Sequence, residues 1–279
     1  MPIVLGLLAA AFYGSADFCG GLATRRRSPI FAVTLISQAV GFVLVLIALP
    51  FFPGAVTWQT VEFGIIAGAC GGLGLALLYH ALSIGKMGVV SPVTAVLAAL
   101  TPVIIGTVRG EHLSQFRLTG VGLALLAIVL ISLSTEADGS FEFSTAGLKE
   151  AIACGIVLGG FYTFLALGGK ASGLYPIAFA RIGSITLLAV LALIGRQSLR
   201  PVPATVGIIA LAGALDMSAN AFYVLAVYAG YLSIAAVLTS LYPASTVFLA
   251  RVVLGERLGW LQKAGVVFAL AGVALIARP

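Results

Sequence analysis

Few side chains in this sequence can carry chemistry, and most of those stand inside apolar runs. Asp216 lies in Leu215-Asp216-Met217-Ser218-Ala219-Asn220, and Asn220, four residues on, shares its helical face. An aspartate and an amide side by side can bind an amine or take up a proton. The competing reading is a permanent pair between Asp216 and Arg181. Asp17 precedes Arg25 by about two helical turns, so it reads equally as a cavity residue and as an interfacial one. His80 has a side chain able to titrate near neutral pH, although a single histidine near a helix end also serves as an interfacial hydrogen-bonding group. Tyr13, Tyr79, Tyr162 and Tyr223 each offer an aromatic face and a hydroxyl. These eight residues are the candidate substrate-binding set.

A second group concerns the backbone. Pro92, Pro102 and Pro243 remove donors inside apolar runs. The carbonyls they free need a polar partner or a cavity, and matching proline-interrupted helices point to a binding site; the alternative is a static kink. Ser91, Thr94, Thr101, Thr239, Ser240 and Ser245 stand close by. Glu111 and Glu256 follow two of the runs, each beside a basic residue. They read as gates that tie the following helix at the membrane surface rather than as substrate ligands.

Other chemistries lack their residues. The two histidines form no HExxH and no helical pair, and no DxxD occurs. Cys19, Cys70 and Cys154 are scattered within apolar runs and form no CxxC, so neither a metal site nor a disulfide framework is expected. Gly71-Gly72-Leu73-Gly74 has no preceding strand and no following Lys-Ser/Thr, which excludes a nucleotide loop. No cofactor and no metal are expected, and a membrane-embedded enzyme is a weak alternative.

The elements that must position these residues are membrane helices. Of 279 residues, 61% are hydrophobic and 9% charged, and the mean hydropathy is +1.17. A soluble domain wets its surface with about 25% charged residues, so lipid must be the main solvent here. The formal charge is +6, but basic residues stand singly apart from Arg25-Arg26-Arg27 at the end of an apolar run. That pattern suits lipid headgroups and excludes a nucleic-acid surface.

Runs long enough to span fall at 3–23, 30–50, 61–83, 88–108, 114–134, 147–169, 174–194, 204–227, 231–252 and 259–277. They are continuous and about twice the length of barrel strands, so the expected class is all-α integral membrane with ten transmembrane helices. Met1-Pro2 enters apolar sequence without a basic n-region, so the first helix is expected to be retained.

The chain repeats itself. Gly110-Glu111-His112-Leu113 followed by Gly120-Val121 answers Gly255-Glu256-Arg257-Leu258 followed by Gly265-Val266. Phe12-Tyr13 answers Phe161-Tyr162, Pro29-Ile30 answers Pro176-Ile177, and Tyr79 answers Tyr223. Glu111 stands nine residues after Pro102 and Glu256 thirteen after Pro243, a difference of about one helical turn. The expected halves are 1–140 and 141–279. Five crossings each invert the second against the first, the plan of many secondary transporters.

With these motifs the chain resembles the EamA-type transporters of the drug/metabolite transporter superfamily. The likeness rests on the five-plus-five plan, the twin Gly-Glu motifs, Thr101-Pro102 and Tyr242-Pro243 before them, and the opening Phe12-Tyr13-Gly14-Ser15-Ala16-Asp17-Phe18. It implies export or uptake of small metabolites such as amino acids, or of drugs, through a cavity between the halves. It also implies cytoplasmic termini, whereas the distribution of Lys and Arg among the loops favours the reverse orientation. The expected function is thus a secondary transporter in the cell (inner or plasma) membrane, exporting a small molecule by alternating access. With no Walker motif, a gradient, with protons as the candidate ion, must drive it. A channel is the remaining alternative. No residue pattern assigns an oligomeric state.

Overall fold

The computed structural model describes residues 2–108, 115–135, 141–143, 145–228, 239, 241–256 and 258–276. Within lipid an apolar segment must satisfy its backbone internally, and the apolar runs accordingly form helices. They are α1 (Pro2–Arg25), α2 (Ile30–Ala48), α3 (Trp58–Ile84), α4 (Met87–Val108) and α5 (Gln115–Ser132), then α6 (Leu148–Leu167), α7 (Tyr175–Ile194), α8 (Val206–Tyr228), α9 (Tyr242–Leu254) and α10 (Trp260–Ile276). A short hairpin, β1 (Leu133–Thr135) paired antiparallel with β2 (Phe141–Phe143), joins the two sets of five. Helices α1, α2, α3, α6, α7 and α8 are long and apolar enough to cross a bilayer; Met87–Ala98, Tyr242–Leu254 and Lys263–Gly272 are shorter apolar stretches among the described residues. Trp58, Leu193, Ile194, Phe248 and Trp260 lie exposed on the outside, where acyl chains rather than water would meet them.

Local sequence sets the helix ends. Thr57 and Thr60 form a reciprocal capping box that starts α3, and α7 opens on Tyr175-Pro176, where the missing proline donor costs nothing. Pro243 falls in the first turn of α9, where its absent N–H is one a helix leaves unpaired, and Thr239 just before it is helical as well.

The connections sort to two ends of the bundle. At one, Arg25 donates from Nε to the Leu82 carbonyl at 2.7 Å and from a terminal nitrogen to the Gly85 carbonyl. Ser28 meets Thr205 at 2.6 Å there, and Gly147 packs on Gly85. At the other, the Ala55 N–H donates to the Ala171 carbonyl at 2.9 Å, and Thr60 meets Ser172 at 2.8 Å. Helix α6 therefore starts at the end where α1 stops, and these matched helices run in opposite directions.

Packing repeats under exchange of the halves. Helix α1 lies on α8 as α6 lies on α3, α1 meets α9 as α6 meets α4, α2 meets α8 as α7 meets α3, and α5 pairs with α10. Small residues permit the close approaches. A Cβ on Gly68 of α3 would stand 1.9 Å from the Ala180 carbonyl oxygen of α7, and one on Gly213 of α8 would stand 2.3 Å from that of Ser37 in α2.

Candidate functional site

The polar side chains buried among these helices converge on one cavity. It is lined from α1 by Tyr13 and Asp17, from α2 by Gln38, from α7 by Arg181 and Ser184, from α8 by Asp216 and Asn220, and from α9 by Tyr242. Residues of α3 and α6, including Gly72, Phe161 and Tyr162, complete it. Its atom-free space, mouth included, is about 630 Å³. Asp216 lies ten residues from Val206 and twelve from Tyr228 at the ends of α8, so the cavity sits near mid-depth.

A charge at that depth is tolerated only when its hydrogen-bonding groups find partners. Arg181 is 5% exposed. It donates to Asp216 Oδ2 at 2.6 Å and to Gln38 Oε1 at 2.5 Å. Ser184 Oγ donates to the same Gln38 oxygen at 2.8 Å. One turn along α8, Asn220 Nδ2 donates to the Asp216 carbonyl at 2.8 Å, which ties the amide to the turn that carries the carboxylate. Gly41, on the face of α2 that holds Gln38, leaves room for the guanidinium: a Cβ there would stand 3.2 Å from Arg181 Cζ.

Aromatic rings form another wall. Tyr162 makes edge contacts with Tyr13, Phe161 and Tyr223 at centroid distances of 6.5, 5.2 and 5.9 Å, an arrangement favoured by the ring quadrupoles. The hydroxyls of Tyr13 and Tyr242, Asn220 Oδ1 and Arg181 Nε are buried without a hydrogen-bond partner among the described residues. This is a wet-chemistry set in an apolar body, open to both sets of five helices, and suited to binding a small polar molecule.

A family model agrees with this architecture at both halves: the EamA-like transporter family matches residues 1–133 and again 145–278. The chain belongs to the EamA-like transporter family. It is a multi-pass membrane transporter of the drug/metabolite type. An uncharacterized protein of Methanocaldococcus jannaschii is 30% identical over 134 residues, which are 47% of this chain and 96% of that protein; the relative is thus about as long as one EamA half. A solved crystal structure, 16% identical, covers 98% of this chain and 95% of its own with a TM-score of 0.62, a likeness of fold.

Within this EamA fold, five of the eight residues singled out from sequence line the cavity together: Tyr13, Asp17, Tyr162, Asp216 and Asn220. Tyr223 stands behind them against Tyr162. Tyr79 and His80 are not among the lining residues. The Tyr79 ring instead fills the space over Gly20 of α1, and His80 is half-buried, with its carbonyl accepting from Ser83 at 2.7 Å. Pro92 and Pro102 lie within α4, Pro92 is not among the lining residues, and Glu111 lies outside the described residues.

The Glu256 carboxylate reaches across to the other half of the molecule. It accepts from the backbone N–H groups of Met87 and Gly88, at 3.3 and 3.2 Å, at the start of α4 in the other half, and pairs with Arg25 at 2.9 Å. The physical reason is the unpaired donors and positive dipole end of α4, which attract an acid.

Sequence reasoning did not single out Gln38 and Ser184, and weighed Arg181 only as a partner for Asp216. An amide and an arginine inside runs as apolar as α2 and α7 were the available signal. The chemistry is also one-sided. Aligned on Tyr79 and Tyr223, Asp216 and Asn220 of α8 correspond to Gly72 and Ala76 of α3.

Proposed function

We propose that this EamA-like protein is a secondary transporter of the cell membrane that exports small metabolites, of the amino-acid or drug class, by alternating access. Halves of residues 1–140 and 141–279 rock against each other about the central cavity. One observation carries the reading: a largely apolar cavity that holds buried polar groups near mid-depth is walled by matched helices, α1 and α3 facing α6 and α8. Two nearly equivalent, oppositely directed halves have two nearly equivalent ways to pack, which open the centre first to one side and then to the other.

In the absence of an ATP-binding motif, coupling comes from a gradient, and protons suit the carboxylates that line the cavity. Asp216 and Asp17 supply the acid groups, Asn220 and Gln38 the amides, and Tyr13, Tyr162 and Tyr242 the aromatic surface. Tyr223 supports Tyr162 from behind. Glu256, and Glu111 by its matching motif, act at the helix ends as gates.

The test compares metabolites in the medium of cells expressing the protein with those of cells carrying an empty vector. Accumulation of a specific metabolite outside, dependent on the protein, is the expected result. An unchanged medium counts against export. Saturable counterflow in proteoliposomes then separates a carrier from a channel, which conducts without exchange.

A further inference from the structure

Three ionisable side chains line the cavity, Asp17, Arg181 and Asp216, and as ions they do not balance. Arg181 is committed: Asp216 takes one terminal nitrogen at 2.6 Å and Gln38 the other at 2.5 Å. Asp17 is 6% exposed and lines the same cavity, yet it has no hydrogen bond or ion pair among the described residues. Its neighbours among the described lining residues add no second cation. A carboxylate removed from water either takes up a proton or needs a positive charge beside it, and a cation able to pair with Asp17 would come from outside the described lining.

The remaining open valences give the newcomer its shape. Asn220 Oδ1 is a buried acceptor with nothing to accept from, and the hydroxyls of Tyr13 and Tyr242 are likewise unpartnered. Those hydroxyls can donate as well as accept, and Arg181 Nε is a further spare donor. The groups that can only accept, the Asp17 carboxylate and Asn220 Oδ1, call for N–H donors from a ligand. The rings of Tyr13, Phe161 and Tyr162 add faces that attract a cation.

We infer that Asp17 is the ammonium-binding carboxylate of the cavity, and that the substrate class is small organic monocations bearing a protonated amine beside an apolar or aromatic group. The inference rests on reading the cavity as the transport site, and deepens it. Asp216 is then a positioning residue that holds Arg181 aside, and a free acid or a zwitterion is a poorer ligand than the corresponding amine. A quaternary ammonium, lacking N–H, leaves Asn220 Oδ1 unpaired and binds less well than a primary amine.

The experiment uses the full chain purified in detergent, with phenethylamine as probe and phenylethanol, phenylacetate and L-phenylalanine as controls, read by titration calorimetry. The expected result is saturable binding of the amine, with each control weaker. D17N weakens the amine by about tenfold or more, the worth of one charge-assisted contact, while Asp17→Glu restores part of the affinity. If the alcohol binds wild type as well as the amine does, the inference is overturned. That comparison needs no variant and survives a D17N chain that does not fold. Equal amine binding by wild type and a folded D17N, or no binding of the amine at all, overturns it too. Counterflow of labelled phenethylamine in proteoliposomes separates the two readings. Amine binding without counterflow leaves the Asp17 site standing and removes transport. Counterflow of another metabolite without amine binding keeps transport and removes the site.

Discussion

Among the described residues two arginine–carboxylate pairs stand out, and they differ in what surrounds them. Arg181–Asp216 lies in the central cavity, and Arg181 finds its other partner in a side chain, Gln38. Arg25–Glu256 lies at one end of the bundle, and its other partners are backbone: the carbonyls of Leu82 and Gly85 at the end of α3, and the N–H groups of Met87 and Gly88 at the start of α4. The end pair uses groups that any helix leaves unpaired at its termini, so it staples α1, α3, α4 and the α9–α10 connection. The central pair borrows nothing from the helix ends and leaves open valences around it. The same chemistry serves closure in one place and reception in the other.

The largest effect expected is at the centre. Asp216→Leu leaves a buried guanidinium without its countercharge and should cost about 3–5 kcal/mol, read by thermal unfolding in detergent, with transport abolished. The Arg181→Met, Asp216→Leu double variant should recover most of that stability and none of the transport. A double variant that still transports would make the central pair purely structural, and the contrast with the end pair would vanish.

Asp17→Asn sharpens the comparison from the other side. Removing a carboxylate that has no partner should leave the unfolding midpoint unchanged or raised, while transport falls by about tenfold or more. A clear loss of stability in this variant would place Asp17 among the structural residues. Glu256→Gln comes next, with about 1–2 kcal/mol of stability lost and the transport rate altered at an unchanged half-saturating substrate concentration. A large rise in that concentration would mean that the end pair reaches the cavity, and the division of labour would fail.

The smallest effect tests the backbone beside the staple. Arg27 ends the turn after α1 at φ 68°, and Gly255 ends α9 at the same φ of 68°. Only glycine adopts this region freely. Arg27→Gly should therefore gain up to about 1 kcal/mol and Gly255→Ala lose a similar amount, both read as shifts in unfolding midpoint. Equal and negligible shifts would show that these turns are not held in the conformation described.

How much of the site was legible follows from what each residue's signal depends on. Asp216 and Asn220 stood out because a charge and an amide on one face of an apolar run are costly wherever the helix lies. Tyr13 and Tyr162 were found through the repeat, and they meet across the cavity. The same reasoning placed Tyr79 with Tyr223, but symmetry in sequence does not reach the facing residue: Gly20 of α1 draws the Tyr79 ring into the packing between α1 and α3. Pro243 was legible as a backbone feature within an apolar run, and only the structure places it in the first turn of α9, a few residues after a helical Thr239.

Lipid solvation is a local property, summed over some twenty consecutive residues, so the sequence alone determined that this chain is built of membrane helices, and the repeat within it determined that they come as two sets of five. What the tertiary structure decided is which side chains share a space. Arg181 chooses Gln38 across 143 positions of chain and Glu256 reaches Gly88 across 168. Those choices depend on close approaches at residues such as Gly68 and Gly213, and on which helix faces turn inward. Distance along the chain carries no record of either, because packing complementarity exists only between surfaces already brought together.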